Sequence, residues 1–241
     1  MKRYIFAGLA ACMVLYGGGV AAQSAQETVA AYYRAAGLGG FADSVSGCYY
    51  FQRFDSQGDA VAESEVYIHY PGRYRIEVRQ HGQEMIMVFN GDEGWVKAPG
   101  EETRELKAEG VKVFKTLYDL FDILMLRDTN LVLKAAGDVK EESRVFRKVE
   151  VEDKTPGSTA PTTYFFFDSE TGLLDHTTSQ VKIDRKKIKM MMTFRNYERM
   201  GDFTLPTEIA TSMDGQQEMV IRTLGVSRRS PEEVDGFFSK P

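Results

Sequence analysis

The chain has 241 residues, 43% of them hydrophobic, which suits one domain with a sizeable core. Its formal net charge is −5 at pH 7, and this acidic excess argues against a nucleic-acid binder, which needs a basic surface.

The first residues, MKRYIFAGLAACMVLYGGGVAAQ, run from Lys2 and Arg3 through an apolar stretch to Val20-Ala21-Ala22. That is the charge and polarity order of a secretory signal, with cleavage expected after Ala22. The expected organisation is a signal peptide over 1–22 and one domain over 23–241. A competing reading takes Leu9-Ala10-Ala11-Cys12 as a lipoprotein signal with Cys12 acylated, but it leaves MVLYGGGVAA on the product without an evident use. Both readings imply a bacterial envelope location, periplasmic in the first case and lipid-anchored in the second. Removing 1–22 leaves 28 basic against 35 acidic residues, a net charge of −7, and no later apolar run of roughly twenty residues that could cross a membrane. Cys48 is then the only cysteine. No intramolecular disulfide can form, and its neighbours Tyr49, Tyr50 and Phe51 suggest a buried strand thiol.

Ser24 with Glu27 three positions on fits a capping box; Val29, Tyr32 and Tyr33 follow at helical spacing, and Gly37 and Gly39-Gly40 end this first helix. Strand-like runs then alternate with turn signals: Val45 to Phe54, Ala60 to Tyr70, Arg73 to Gln80, Gln83 to Phe89, and Trp95 with Val96. Short loops between adjacent runs predict antiparallel neighbours. Tyr74, Ile76 and Val78 alternate with polar residues, whereas Met85 to Phe89 is apolar on both faces. Between Ala108 and Arg127 the period becomes helical. One stripe holds Val111, Phe114, Tyr118, Phe121 and Met125, a second Val113, Leu117, Leu120 and Leu124, so this helix should be enclosed on more than one side. After Leu131 strands are predicted over Arg144 to Glu152, Thr162 to Asp168, Leu173 to Ile183, Lys186 to Tyr197, Thr207 to Met213 and Gln217 to Ser227. The sum is a mainly β, α+β chain whose long antiparallel sheet must curl.

Catalytic signatures are missing. His69, His81 and His176 stand far apart with no metal-ligand spacing, and no nucleophile elbow, phosphate loop or dinucleotide fingerprint occurs. Asp119 and Asp122 read as the single wet edge of an apolar helix. The basic run DRKKIK, Asp184 to Lys189, reads as a solvated turn, with an acidic partner or lipid headgroups as the functional alternative. The positive signal is adaptable apolar surface: Met85 and Met87 share one strand face, Met190 and Met192 another. Several strands, TYFFFD and MIMVF among them, are apolar on both faces, although one face of an antiparallel sheet usually meets water.

In this order the parts resemble the LolA-like family of periplasmic lipoprotein carriers and outer-membrane lipoprotein-sorting proteins. The resemblance rests on the signal, the N-terminal helix, YPGRYRIE followed by FNGDEGWVKAP, the embedded apolar helix, YFFFDSETGLL, FRNYERMGDFTLPTEI and the closing DGFFSKP. It implies a curved, unclosed antiparallel β-barrel over an apolar hollow with a helical lid or plug. It also implies a carrier that is not an enzyme and for which no cofactor or metal is expected. The ligand would be lipoprotein acyl chains or another lipid, passed from an inner-membrane donor to an outer-membrane acceptor by a monomer. The hollow would be lined by Met85, Met87, Phe89, Trp95, Phe114, Leu117, Phe121, Leu124, Phe166, Met190 and Met192. The family's lid-latching arginine corresponds to Arg75 through the Pro-x-x-x-Arg pattern, although alternation alone sets Arg75 opposite Tyr74 and Ile76, as an exposed residue. The alternative function is an envelope sensor of the same fold that signals through a partner, and the third an enzyme using the hollow as its active site.

Overall fold

The computed structural model describes residues 24–38, 46–54, 59–69, 73–91, 93–107, 111, 126, 130–156, 160–183, 186–201, 203–229 and 235–241. Helix α1 spans Ala25–Ala36. Its capping box forms as the sequence predicts: the Ser24 hydroxyl accepts the Glu27 N–H at 3.2 Å, and Glu27 accepts the Ser24 N–H at 2.8 Å. Gly37 closes the helix in the left-handed conformation, φ 68°, where a Cβ would be strained.

Thirteen strands follow. They are β1 (Ser46–Phe54), β2 (Ala60–His69), β3 (Arg73–Gln80), β4 (Gln83–Asn90), β5 (Glu93–Lys97), β6 (Arg104–Glu105), β7 (Leu131–Glu141), β8 (Arg144–Asp153), β9 (Thr163–Asp168), β10 (Leu174–Ile183), β11 (Lys186–Met200), β12 (Phe203–Met213) and β13 (Gln216–Arg229). All lie in one antiparallel sheet in the order β6-β5-β4-β3-β2-β1-β13-β12-β11-β10-β9-β8-β7. Two meanders therefore meet where β1 pairs with β13, Ser46 opposite Arg229. The sheet does not close, and its two edges, β6 and β7, are consecutive in the chain. Residues 106–130 thus join one edge to the other.

Laid flat, thirteen strands would span about 58 Å. Instead α1 touches β12, β8 and the edge strand β7, which requires the sheet to bend around the helix. The inner face carries one continuous apolar cluster. It runs from Val66, Ile68, Ile76, Met87, Phe89 and Val96 on one arm to Val149, Phe165, Phe167, Phe194 and Ile209 on the other, with α1 contributing Val29 and Tyr32. The outer face is polar and cross-linked: Arg79 meets Glu65 and Glu84, both at 3.0 Å, Lys134 meets Glu150 and Glu152, and Glu208 holds Arg195 and Arg222. Such exposed pairs add little stability singly, but opposite charges across a ladder favour the observed register.

Strand β7 has no counterpart in the sequence reading. Its residues LVLKAAGDVKE are mostly exposed, only Leu131 and Leu133 at its start pack against the inner cluster, and its register shifts between Ala135 and Asp138, so the alternation of this edge strand is too short to detect. The two-residue β6 is missed as well, and β12 begins four residues earlier than expected, carrying Pro206 within it.

Gly94 marks a close approach on the inner face. A Cβ there would lie 2.7 Å from Val111 Cγ2 and 3.1 Å from Phe89 Cδ1. Gly94→Ala should destabilise the protein by about 1–3 kcal/mol through overpacking. A urea midpoint equal to that of the parent would show that the neighbours give way freely.

Candidate functional site

The inner face is the largest apolar surface formed by the described residues. Registers confirm a common side: Val66 lies opposite Ile76, Ile76 opposite Met87, and Met87 opposite Val96. On the other arm Val149 faces Phe165, Phe165 faces Thr177, and Thr177 faces Met192. Met85, Met87, Phe89 and Met192 all belong to this surface. Met190 shares the side of Met192 and Phe194 by strand alternation. Flexible thioethers, stiff phenyl rings and branched chains share this surface, and thioethers adapt readily to irregular neighbours. Its polar content is small: Thr177, Ser179 and Thr223 are buried, and the hydroxyls of Tyr32 and Thr223 lack a hydrogen-bond partner among the described residues. Burial pushes the Tyr32 phenol well above the ordinary tyrosine range, so it stays neutral.

Two residues expected to line the hollow lie outside it. Trp95 packs with Val88, Ile86, Phe237 and Phe238 on the outer face. Phe166 also points outward and stacks on the His176 ring at 4.1 Å and 14°. In both cases the strand is apolar on two faces because each face has its own cover. For β4 and β5 the outer cover is the C-terminal 3-10 turn, Asp235–Phe238. Phe237 meets Tyr67 edge-on at 4.9 Å, Phe238 lies under the Arg73 guanidinium at 5.2 Å, and Thr103 Oγ1 donates to the Pro241 carbonyl at 2.7 Å.

Arg75 belongs to this outer assembly. Its Nε donates to Glu77 at 2.6 Å and its Nη1 to the Phe237 carbonyl at 3.3 Å, while Tyr74 and Ile76 on either side point inward. Its described contacts fasten the C-terminal segment, whereas a latch for a lid over the hollow would have to face the other way. Phe114, Leu117, Phe121 and Leu124 lie outside the described residues.

A polar cluster sits on the outer face at the β9–β10 turn. Arg144 donates to Asp168 at 2.8 Å and pairs with Asp175 at 2.6 Å; Asp175 in turn meets His176 Nδ1 at 2.8 Å. The register shift between Leu174 and His176 allows Leu174 to enter the core while His176 faces out. Burial pushes the Asp168 carboxyl up, but the Thr171 amide, Arg144 and the Glu170 amide outweigh it and hold the group below the usual carboxylate range. Asp175 is likewise lowered, with burial opposed by hydrogen bonds from His176 and Arg144. Every charge here has a partner, which makes the cluster a clamp on the turn. Among the described residues no group of three His, Cys, Asp or Glu side chains could hold a metal ion.

Neither a protein-family model nor a curated protein matches the chain. Solved structures do match. A LolA superfamily protein from Nitrosomonas europaea aligns over 91% of this chain and 99% of its own, with TM-score 0.59 and 11% identity. A DUF1329 family protein from Desulfovibrio piger aligns over 89% and 97%, with TM-score 0.58 and 13% identity. A Vibrio parahaemolyticus domain described as an outer membrane lipoprotein-sorting protein aligns over 86% and 91%, with TM-score 0.55 and 11% identity. At these identities the likeness is one of fold, and the fold of this chain is LolA-like.

Two measurements probe these placements. Phe238→Ala should cost about 3–5 kcal/mol and shift the emission of Trp95, the single tryptophan, to longer wavelength; unchanged emission would show that the C-terminal turn does not cover it. Because the Asp168 pKa is lowered in the fold, its contribution is complete above about pH 4 and fades as pH falls through the lowered value. Asp168→Asn should therefore lose about 1–3 kcal/mol at neutral pH. The gap should narrow in acid, and a pH-independent gap in urea midpoints would exclude the linkage.

Proposed function

We propose that this protein is an envelope carrier that holds acyl chains of lipoproteins, or of other lipids, against the inner face of its open sheet. The observation that carries the reading is the continuous inner apolar cluster, built by both arms of a LolA-like sheet and bordered by polar networks on the outside. Burying an acyl chain gains about 0.8 kcal/mol per methylene, so even a partial fit retains a lipid against water. The near absence of charge on that face favours holding over chemistry, since a catalytic pocket needs converging titratable groups.

Chain connectivity adds support. The link between Glu105 and Leu131 must join the two sheet edges, and it contains the apolar helical pattern of residues 108–127. A helix across that seam would act as lid or plug, and cargo that binds only when it moves aside would shift the population toward the open form. The order of charge and hydrophobicity in residues 1–22 supports export, and among the described residues no helix is long and apolar enough to cross a membrane. Delivery from an inner-membrane donor to an outer-membrane acceptor follows from the same reading.

The test combines native mass spectrometry of protein purified gently from its own envelope with titration of a fluorescent fatty-acyl probe. Bound lipid is expected in the first measurement. Met192→Glu, which places a carboxylate on the inner wall, should weaken the probe at least about tenfold, or 1.4 kcal/mol, while Arg195→Gln on the outer face should not. No co-purifying lipid together with equal probe affinities would remove the carrier reading.

A further inference from the structure

We propose that the Tyr32 hydroxyl is the polar anchor of the inner face: it donates a hydrogen bond to the carbonyl oxygen of an acyl ester and so fixes the head end of the guest. The inference rests on the carrier reading and adds to it which part of the guest is recognised and where that part lies. Tyr32 is 1% exposed, and its hydroxyl has no hydrogen-bond partner among the described residues. Leaving a buried hydroxyl unpaired costs stability, and a phenylalanine would fill the same space without that cost. A neutral phenol has one proton to donate, and an ester carbonyl accepts without offering a proton of its own.

The end of the sheet next to Tyr32 supplies access. Strands β10 and β11 pair from Ile183 and Lys186 to His176 and Thr193; beyond that point β11 runs on to Met200 against β12 alone. The strands part there, and a notch of about 350 Å³ opens past Arg144 and Asn196. Its walls include Leu173, Leu174, Phe194 and Tyr197, each of them part of the inner cluster or packed against it. Alternation alone would send Phe194 and Tyr197 to opposite faces. The left-handed backbone of Asn196, φ 53°, lies between them, and both pack on the cluster.

Tyr32 stands behind this wall. Helix α1 abuts the turn before β10, where a Cβ on Gly172 would lie 3.7 Å from the Ala31 carbonyl oxygen and 3.7 Å from Ala35 Cβ. The Tyr32 ring centroid lies 5.4 Å from that of Phe167, and its phenol is an electrostatic neighbour of the Tyr197 phenol. Tyr197 Oη itself donates to the Leu174 carbonyl at 2.6 Å, so that carbonyl is already in use. An acyl chain laid along the inner cluster with its carbonyl at Tyr32 therefore has its polar end beside the notch and its methylenes among the apolar side chains.

The test titrates two pyrene-labelled chains of equal length, one ending in a methyl ester and the other a plain alkane, into the delipidated full chain. Tyr32→Phe, which removes only the hydroxyl, should weaken the ester about fivefold, the worth of one neutral hydrogen bond, and leave the alkane unchanged. It should not lower the urea midpoint of the lipid-free protein. Tyr164→Phe removes a phenol on the outer face, where Lys148 Nζ lies 4.0 Å from the ring centroid, and should keep the parent's ester affinity. If both chains bind and Tyr32→Phe weakens them equally or not at all, this inference is overturned and the carrier reading stands. An equal loss of ester affinity in Tyr164→Phe overturns it in the same way. A lower urea midpoint also overturns it, because the hydroxyl would then be satisfied in the lipid-free protein. Failure of both chains to bind the parent removes the carrier reading and this inference with it.

Discussion

A strand sends alternate side chains to opposite faces, so every antiparallel sheet must find a partner for one face and water for the other. Here that constraint acts on thirteen strands at once. The outer face meets it with cross-strand ion pairs and two local covers, the C-terminal turn over β4 and β5 and the aromatic and cationic groups around His176. The inner face gathers the large apolar side chains into one cluster, and α1 is the described helix that lies against it. Curvature, an unclosed seam and an apolar concavity are consequences of that division.

The same division separates stability from function. Clusters that tie down loops and termini, such as Arg144 with Asp168 and Asp175 or Arg75 with Phe237, lie outside. The surface proposed to hold a guest lies inside and is almost free of charge. Its Met85, Met87 and Met192 change shape at low cost, whereas the buried Tyr32 hydroxyl, without a partner among the described residues, is a donor in a setting where an unmade hydrogen bond is expensive.

Much of this was legible in the residues. The capping box at Ser24 and Glu27, the turn between β3 and β4 and the one-faced pattern of β3 are short-range signals, and the structure contains each of them. The alternation that made Arg75 an outward residue was also sound, and the hydrogen bond to Phe237, 162 positions away, explains why such an arginine is half-buried. Strand β7 left little trace because only Leu131 and Leu133 at its start pack inward, and amphipathic periodicity exists only where one face is buried.

What the sequence determined by itself was the local content: which segments extend, where they turn, and that some strands are apolar on both sides. It could not assign those sides. For Trp95 and Phe166 the deciding facts are a docked C-terminal turn, a contact over a long separation, and a histidine on the next strand of the same hairpin. Face assignment also changes wherever the register shifts, as between Leu174 and His176, and a single extra residue is invisible to a period-two pattern. Periodicity reports that a face is buried; only the tertiary structure decides what buries it.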